Sequence, residues 1–345
     1  MLWELAKSLL FKLDPEHAHE LALVSLRLSK GGLKPALKAR MQTDKAGLTF
    51  PNPIGLAAGM DKNGKCLLAW QSLGFGFAEV GTVTAIAQAG NPKPRLFRLP
   101  AHQSLFNRMG FNNDGAAVIS RRIEKQRKSS RLTIPIGVNI GKSAIVPIED
   151  AAQDYLISFD LLADVADYIV INVSSPNTKN LRQLQESEAL MRILDPIAVK
   201  NAQRQHPRPL LVKIAPDMDE MNAIAIARVA LENGASGLII SNTSTQPLIP
   251  NLPTGGGGLS GPPLFEKSTF LLQAVRREVG SKALLIGSGG VMSPSDAVEK
   301  MRHGADLVQV YTGFVYNGPS FVRACVEAVS DHRHGDRRQE SRAPR

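Results

Sequence analysis

The sequence predicts an α/β protein: a (β/α)8 TIM barrel with a small N-terminal two-helix extension. Three observations carry this. From about residue 47 onward, eight short apolar runs ending in Gly, Asn, Ser, Thr or Lys alternate with helical patterns. One run, Tyr168-Ile-Val-Ile-Asn-Val-Ser-Ser-Pro-Asn177, is β-branched and apolar through most of its first half, as a strand buried on both faces is. A length of 345 residues suits one such barrel with an extension. A doubly wound open sheet is the alternative, but eight sequential units favour closure.

Residues 1–40 precede the alternation. Leu2, Leu5, Ala6, Leu9, Leu10 and Leu13 recur at helical spacing, with Lys7 and Lys12 off that stripe. Asp14-Pro15 reads as an N-cap followed by proline at the first helical position. A second helix carries Ala18, Leu21, Ala22, Ser25 and Leu28 on one face and is expected to end near Gly31-Gly32. Both helices are too short to cross a bilayer. They either dock on the barrel or lie in a membrane interface, and Trp3 tips the balance towards the interface.

The eight runs are Ile54–Gly59, Ala78–Val83, Ile136–Ile140, Tyr168–Ser174, Leu210–Ala215, Gly237–Thr243, Ala283–Gly289 and Leu307–Gly313. Helical patterns at Asp219–Asn233 and Ser293–His303 lie between them. The latter opens on Ser293 as N-cap with Pro294 next, and has Gly304 just past its end. Residues 84–131 and 244–265 interrupt the alternation; insertions of this length are usually lids or binding loops. From about Asp331 the chain loses apolar periodicity and reads as a basic, disordered tail.

Composition narrows the function. Lys and Arg number 41 against 31 Asp and Glu, a balance that suits nucleic acid, an anionic surface or a phosphorylated ligand. Aromatic residues are only 5% and no RNA-binding signature or dense basic helix appears, which argues against nucleic acid. Cys66 and Cys325 fit no metal or redox spacing and read as reduced, partly buried thiols. No signal peptide is visible, and no apolar run reaches the roughly 20 residues of a membrane span.

The chemistry is expected where the strands end. Ile286-Gly-Ser-Gly-Gly-Val-Met-Ser-Pro places glycines between a strand and a capped helix, where backbone N–H groups approach an anion. Val310-Tyr-Thr-Gly313 ends the next strand. Gly256-Gly-Gly-Leu-Ser-Gly261 spells GxGxxG but lies among prolines, so it fails the dinucleotide context. Asn172-Val-Ser174 and Asn242-Thr-Ser244 match a glycosylation pattern but sit at strand ends. The other ends hold Ala58-Gly-Met-Asp-Lys62, Gly81-Thr82, Asn139, Asn172, Lys213 and Ser241-Asn-Thr243, with Asp61 as the one carboxylate. Such amides, hydroxyls and lysines suit a flat polar heterocycle, and a strand-end lysine stabilises negative charge on it. Lys213, inside Val-Lys-Ile-Ala, stands where solvation is implausible. No cluster with metal-ligand spacing is present.

Six motifs in order, over nearly the whole chain, resemble the dihydroorotate dehydrogenases. They are Gly-Leu-Ala-Ala-Gly-Met-Asp-Lys (55–62), Asn-Arg-Met-Gly-Phe-Asn-Asn (107–113), Asn-Val-Ser-Ser-Pro-Asn (172–177), Val-Lys-Ile-Ala-Pro-Asp (212–217), Ser-Asn-Thr (241–243) and Gly-Gly-Leu-Ser-Gly (257–261). Serine rather than cysteine at position 175, and a helical extension containing Leu-Asp-Pro-Glu-His-Ala-His, are similar to the membrane-associated, quinone-reducing class 2. The resemblance implies oxidation of (S)-dihydroorotate to orotate in pyrimidine biosynthesis, with FMN as cofactor and a membrane quinone as acceptor. It implies a flavin site of Ala57, Ala58, Gly59, Met60, Asp61, Lys62, Thr82, Asn139, Asn172, Lys213, Ser241, Gly261, Gly290, Tyr311 and Thr312. Substrate would be held by Lys62, Asn107, Arg108, Met109, Gly110, Phe111, Asn172, Asn177, Asn242 and Thr243. Ser175 would be the base, activated by water or Thr178.

Two departures stand out: Ser241 replaces a frequent threonine, and the glycine run 255–258 is longer than usual. On this reading residues 1–40 give quinone and membrane access, residues 41–330 form the barrel, and 331–345 are the tail. The protein would be a monomer, peripheral to the cytoplasmic face of a bacterial inner membrane. The rivals are a soluble flavoenzyme reducing fumarate or NAD, and a phosphate-binding barrel isomerase or lyase without redox chemistry.

Overall fold

A computed structural model describes residues 2–28, 41–129, 131–178 and 181–340, with side chains described from Trp3 to Arg333. Its centre is a closed barrel of eight parallel strands in sequential order. They are β1 (Ile54–Asp61), β2 (Phe77–Val83), β3 (Ile136–Ile140), β4 (Tyr168–Asn172), β5 (Leu210–Ile214), β6 (Gly237–Ile240), β7 (Leu284–Ser288) and β8 (Leu307–Val310). Each is followed by a helix on the outside, from Leu67–Ser72 after β1 to Ser320–Glu340 after β8. Closure, not an open sheet, is the outcome, because β8 pairs back onto β1 through Val308 and Ile54.

The strands alternate, one side chain inward and the next outward. At the N-terminal end Phe77, Tyr168, Val170, Leu211, Ile239, Leu284, Ile286 and Leu307 form one buried cluster. Phe50 plugs it from a hairpin of Thr43–Lys45 and Leu48–Phe50, with its ring 5.4 Å from that of Phe77. Two residues further along the same strands, the alternation delivers Glu79, Asn172, Lys213, Ser241, Ser288 and Gln309, all buried. The barrel is thus apolar below and polar above, and the switch falls where the strands end.

Several strands stop short of the expected polar tips. β4 ends at Asn172, where the backbone N–H of Ser174 turns to Asn172 Oδ1 instead of a neighbouring strand, and β6 ends at Ile240. The helix Pro294–Arg302 has the expected start: Ser293 and Asp296 form a reciprocal capping box. The two long insertions meet. Leu96–Leu99 and Ser104–Asn107 from the first, with Gly258–Ser260 from the second, make an antiparallel sheet.

Two helices precede the barrel, α1 (Leu2–Leu10) and α2 (Pro15–Leu28). Asp14 Oδ1 caps α2 by accepting the N–H groups of Glu16 and His17. The expected stop at Gly31-Gly32 lies outside the described residues. Both helices dock on the insertion sheet and the C-terminal region. Arg98 donates to the carbonyls of Leu10, Phe11 and Leu13, and buried Glu16 pairs with buried Arg95 at 2.7 Å. Trp3 is a correction: its ring packs on Gly318 and its Nε1 donates to Tyr316 O, so it is a peg on the barrel, not an interfacial anchor. The last helix runs from Ser320 to Glu340, and residues 341–345 of the expected tail lie outside the described residues. Extending an existing helix adds one hydrogen bond per residue fixed without a new nucleus, so apolar periodicity is not required.

Candidate active site

A cleft opens over the polar end of the barrel, with about 1170 Å³ of space including the open solvent at its mouth. Of the predicted site residues, Ala57, Ala58, Gly59, Lys62, Thr82, Asn107, Met109, Gly110, Phe111, Asn172, Ser175, Asn177, Lys213, Ser241, Asn242, Thr243, Gly290, Tyr311 and Thr312 line it. Five do not. Met60 packs in the core between barrel and helices. Asp61 turns outward and accepts the N–H groups of Lys65 and Cys66 and Nε1 of Trp70, so it anchors the start of Leu67–Ser72. Burial raises its pKa. Asn139 lies one layer beneath the lining. Arg108 donates to Thr254 O and stacks over Phe97. Gly261 has φ +110°, and a Cβ there would meet Ser104 Oγ at 2.7 Å.

The floor is a connected polar network. Thr82 Oγ1 donates to Asn139 Oδ1 at 2.6 Å, and Asn172 Nδ2 donates to both Thr82 Oγ1 and Asn139 Oδ1. Asn139 Nδ2 and Gln309 Nε2 donate to the two carboxylate oxygens of Glu79. Lys213 Nζ lies 3.7 Å from Glu79 Oε1. Glu79 was not anticipated, although a carboxylate inside Phe-Ala-Glu-Val is as conspicuous as the lysine inside Val-Lys-Ile-Ala.

At one end, Ser175 is 4% exposed and its Oγ accepts the N–H of Asn177 at 3.2 Å. Asn177 Nδ2 donates to Asn107 Oδ1, which joins the β4 loop to the insertion sheet. Arg182, also unanticipated, clasps the loops after β4, β5 and β6 by donating to Ser174 O, Asp217 Oδ2 and Thr243 O. Thr178 lines a neighbouring cavity with Lys142, and among the described residues it makes no bond to Ser175. Lys62 faces the cleft, and burial pushes its ammonium down to about 8. His19 of α2, missed because it sits in the extension, also lines the cleft, and burial pushes its imidazole down to about 4.

The opposite end is neutral. Ser288, Gly289, Gly290, Ser260, Tyr311 and Thr312 line it, with Ser260 Oγ and Thr312 Oγ1 2.8 Å apart. Gly289 and Gly290 have φ +102° and +79°, which lets the turn fold back over the barrel end. Among the described residues, Gln309 Oε1, in a residue that lines the cleft, is buried and meets no donor in good hydrogen-bond geometry, although the Tyr168 hydroxyl beneath is within its influence. A planar ligand carrying N–H groups and an anionic tail fits this set of donors and acceptors.

Fold and cleft together define a (β/α)8-barrel enzyme whose site, at the C-terminal ends of the strands, accepts a flat ring and an anion. The family model described as dihydroorotate dehydrogenase matches residues 40–332. A "Dihydroorotate dehydrogenase (quinone)" of Chromobacterium violaceum is 47% identical, covering 96% of this chain and 98% of its own. One from Stenotrophomonas maltophilia is 45% identical over 98% of both. Among solved structures, ligand-free DHODH from Eimeria tenella superposes with a TM-score of 0.84 at 38% identity, covering 92% of this chain and 94% of that one. The chain belongs to the dihydroorotate dehydrogenase family of flavoprotein oxidoreductases, in its quinone-dependent branch.

Proposed function

We propose that the protein oxidises (S)-dihydroorotate to orotate for pyrimidine synthesis, holding FMN in the cleft and passing electrons to a membrane quinone. The observation that carries the reading is the split of one cleft into an amide-rich end around Ser175 and a glycine-turn end after β7, joined by a floor that includes Lys213. When bound, FMN supplies the hydride acceptor. The residues suited to hold it are Ala57 to Gly59, Thr82, Lys213, Ser241, Gly290, Tyr311 and Thr312. Asn139, Met60 and Asp61 support that wall from behind.

Asn107, Asn172, Asn177 and Asn242 present amides that orient a substrate ring, and Lys62 offers an ammonium to its carboxylate. Ser175 Oγ takes the C5 proton as its own hydroxyl proton passes to a water in the cleft, since Thr178 makes no bond to it among the described residues. The Asn177 N–H bonded to Oγ stabilises the alkoxide character that develops as that hydroxyl proton leaves. Lys213 would offer its ammonium to negative charge on a bound flavin, and Glu79 holds that ammonium in place.

Residues 1–40 give the acceptor its route. His19 brings α2 to the cleft wall, while Leu5, Leu9, Leu13, Leu21, Val24 and Leu28 are exposed on the extension. Among the described residues no helix is long and apolar enough to cross a membrane. Peripheral contact with the cytoplasmic face of an inner membrane, by a monomer, fits this surface. The test is anaerobic: dihydroorotate should bleach the flavin absorbance of the purified protein, and a quinone should restore it faster than fumarate or NAD. A colourless protein, or a flavin indifferent to dihydroorotate, defeats the reading.

A further inference from the structure

The neutral end of the cleft poses an electrostatic problem that a residue outside the cleft resolves. Among its lining residues Ser260, Leu264, Ser288 to Val291 and Val310 to Thr312, none carries a charge. A phosphate monoester seated there would meet only hydroxyls and backbone N–H groups. Directly behind the turn lies Lys300, on the helix Pro294–Arg302, with no solvent exposure. Its stem packs against the end of β7: a Cβ on Gly287 would meet Lys300 Cδ at 3.3 Å. Its Nζ donates to Ser268 Oγ at 2.6 Å, and the single proton of Ser268 Oγ has two acceptors in reach, Gly289 O at 3.0 Å and Phe265 O at 3.1 Å. One side chain therefore links the ammonium to the turn that lines the cleft.

Lysines are almost never fully buried unless paired. Here the other contact of Nζ is the ring of Phe265, 5.0 Å from its centroid. Asp296, which favours its charged form, is occupied by the N–H groups of Met292 and Ser293. Burial pushes the Lys300 ammonium down to about 7, so an anion across the turn would favour the charged form. An apolar side chain would fill the same space without that desolvation cost, so the charge itself needs an explanation.

We propose that Lys300 is the counter-charge for the cofactor's phosphate, a positioning residue acting through Ser268 and the Gly289 carbonyl, which sets the preference of the cleft for a phosphorylated flavin. The inference rests on the FMN reading above. It assigns no contact between Lys300 and the cofactor; the lysine holds the turn and supplies field from behind it.

The test is exchange. Purified holoenzyme is equilibrated with graded mixtures of FMN and riboflavin, and the two released flavins are separated by chromatography and each quantified by fluorescence. Wild type should favour FMN. Lys300→Met should cut that preference by about tenfold or more, the effect of a unit charge across several ångströms of protein, while leaving riboflavin retention unchanged. Ser268→Ala, which keeps the cation but removes the relay, should give a smaller shift in the same direction, and it decides the matter if Lys300→Met fails to fold. An unchanged preference, or an equal loss of both flavins, overturns the proposal by reducing Lys300 to a packing role. A wild-type protein that retains neither flavin instead removes the FMN reading on which it rests.

Discussion

The ammonium of Lys213 stands 3.7 Å from the carboxylate of Glu79, and neither residue is more than 5% exposed. This pair is the keystone of the cleft floor. Glu79 accepts from Asn139 and Gln309, so its two oxygens hold donors from β3 and β8 beside the Lys213 ammonium of β5. Removing one partner of a buried pair leaves the other charge uncompensated, which costs about 3–5 kcal/mol. Glu79→Ala should therefore lower stability by about that amount and reduce flavin content. Glu79→Gln, which keeps the shape and one acceptor, should lose less. Urea unfolding at matched flavin concentration measures both; an alanine variant with the wild-type midpoint would contradict the arrangement.

Ser175→Ala should retain its flavin, because Ser175 lies at the amide-rich end and not at the glycine turn. Flavin reduction by dihydroorotate should slow by at least about 10²-fold, the lower end for losing general-base catalysis. Stopped-flow bleaching under anaerobic conditions gives the rate. Near-normal reduction would remove Ser175 from the role.

How much of this was legible in the sequence follows from what each residue type can signal. The barrel was legible because buried parallel strands are nearly all apolar, and their polar ends stand out against that background. Lys213 was legible for the same reason. Glu79 carried an equal signal but lies mid-strand, and attention to strand ends passed over it in favour of Asp61. That aspartate serves a helix start instead. Gly290 was expected to be glycine so that backbone could approach an anion. In the structure a Cβ there would meet the Cα of Phe265 at 2.4 Å, so the packing of the turn on the start of the preceding helix, Phe265–Val279, already requires glycine. Arg182 and Lys300 gave no local signal, because their roles depend on segments brought together by the fold. In the extension the apolar spacing was visible, but the inward face was not: Glu16, Lys7 and Trp3 make the docking contacts.

Lys62 gives the cleft a pH limb. Burial, with Arg95 adding to it, pushes its ammonium down to about 8, while Glu16 and Glu20 oppose the shift. A carboxylate ligand binds the protonated form. Below about pH 8 the lysine is already charged and affinity should be flat. Above it, binding must first take up a proton, and affinity should fall by up to about tenfold per pH unit. Orotate titrated against the flavin spectrum from pH 6 to about 10 should show that limb, and Lys62→Met should bind weakly with no limb at all. An affinity that stays constant through pH 9 would show that Lys62 is not the group facing the ligand's charge.

The extension supports the sharpest separation of the two half-reactions. Its polar contacts to the rest of the chain include Arg98 to three carbonyls, Glu16 to Arg95, and Lys7 to Tyr316 O. Its exposed residues include Leu5, Leu9, Leu21 and Val24, each more than half open to solvent. Deleting residues 1–40 would strip Glu16 from buried Arg95 and confuse access with stability. Replacing those four side chains by glutamate leaves the docking contacts intact. Each gives up part of the roughly 1.5–3 kcal/mol available from burying a large aliphatic side chain, so liposome partitioning should fall at least about tenfold. Flavin reduction by dihydroorotate should be unchanged. Reoxidation by a long-chain quinone in vesicles should slow, whereas a short, water-soluble quinone should work at the wild-type rate. If the folded variant leaves the vesicles yet turns over long-chain quinone undiminished, the leucine stripe is not the membrane contact that delivers the acceptor.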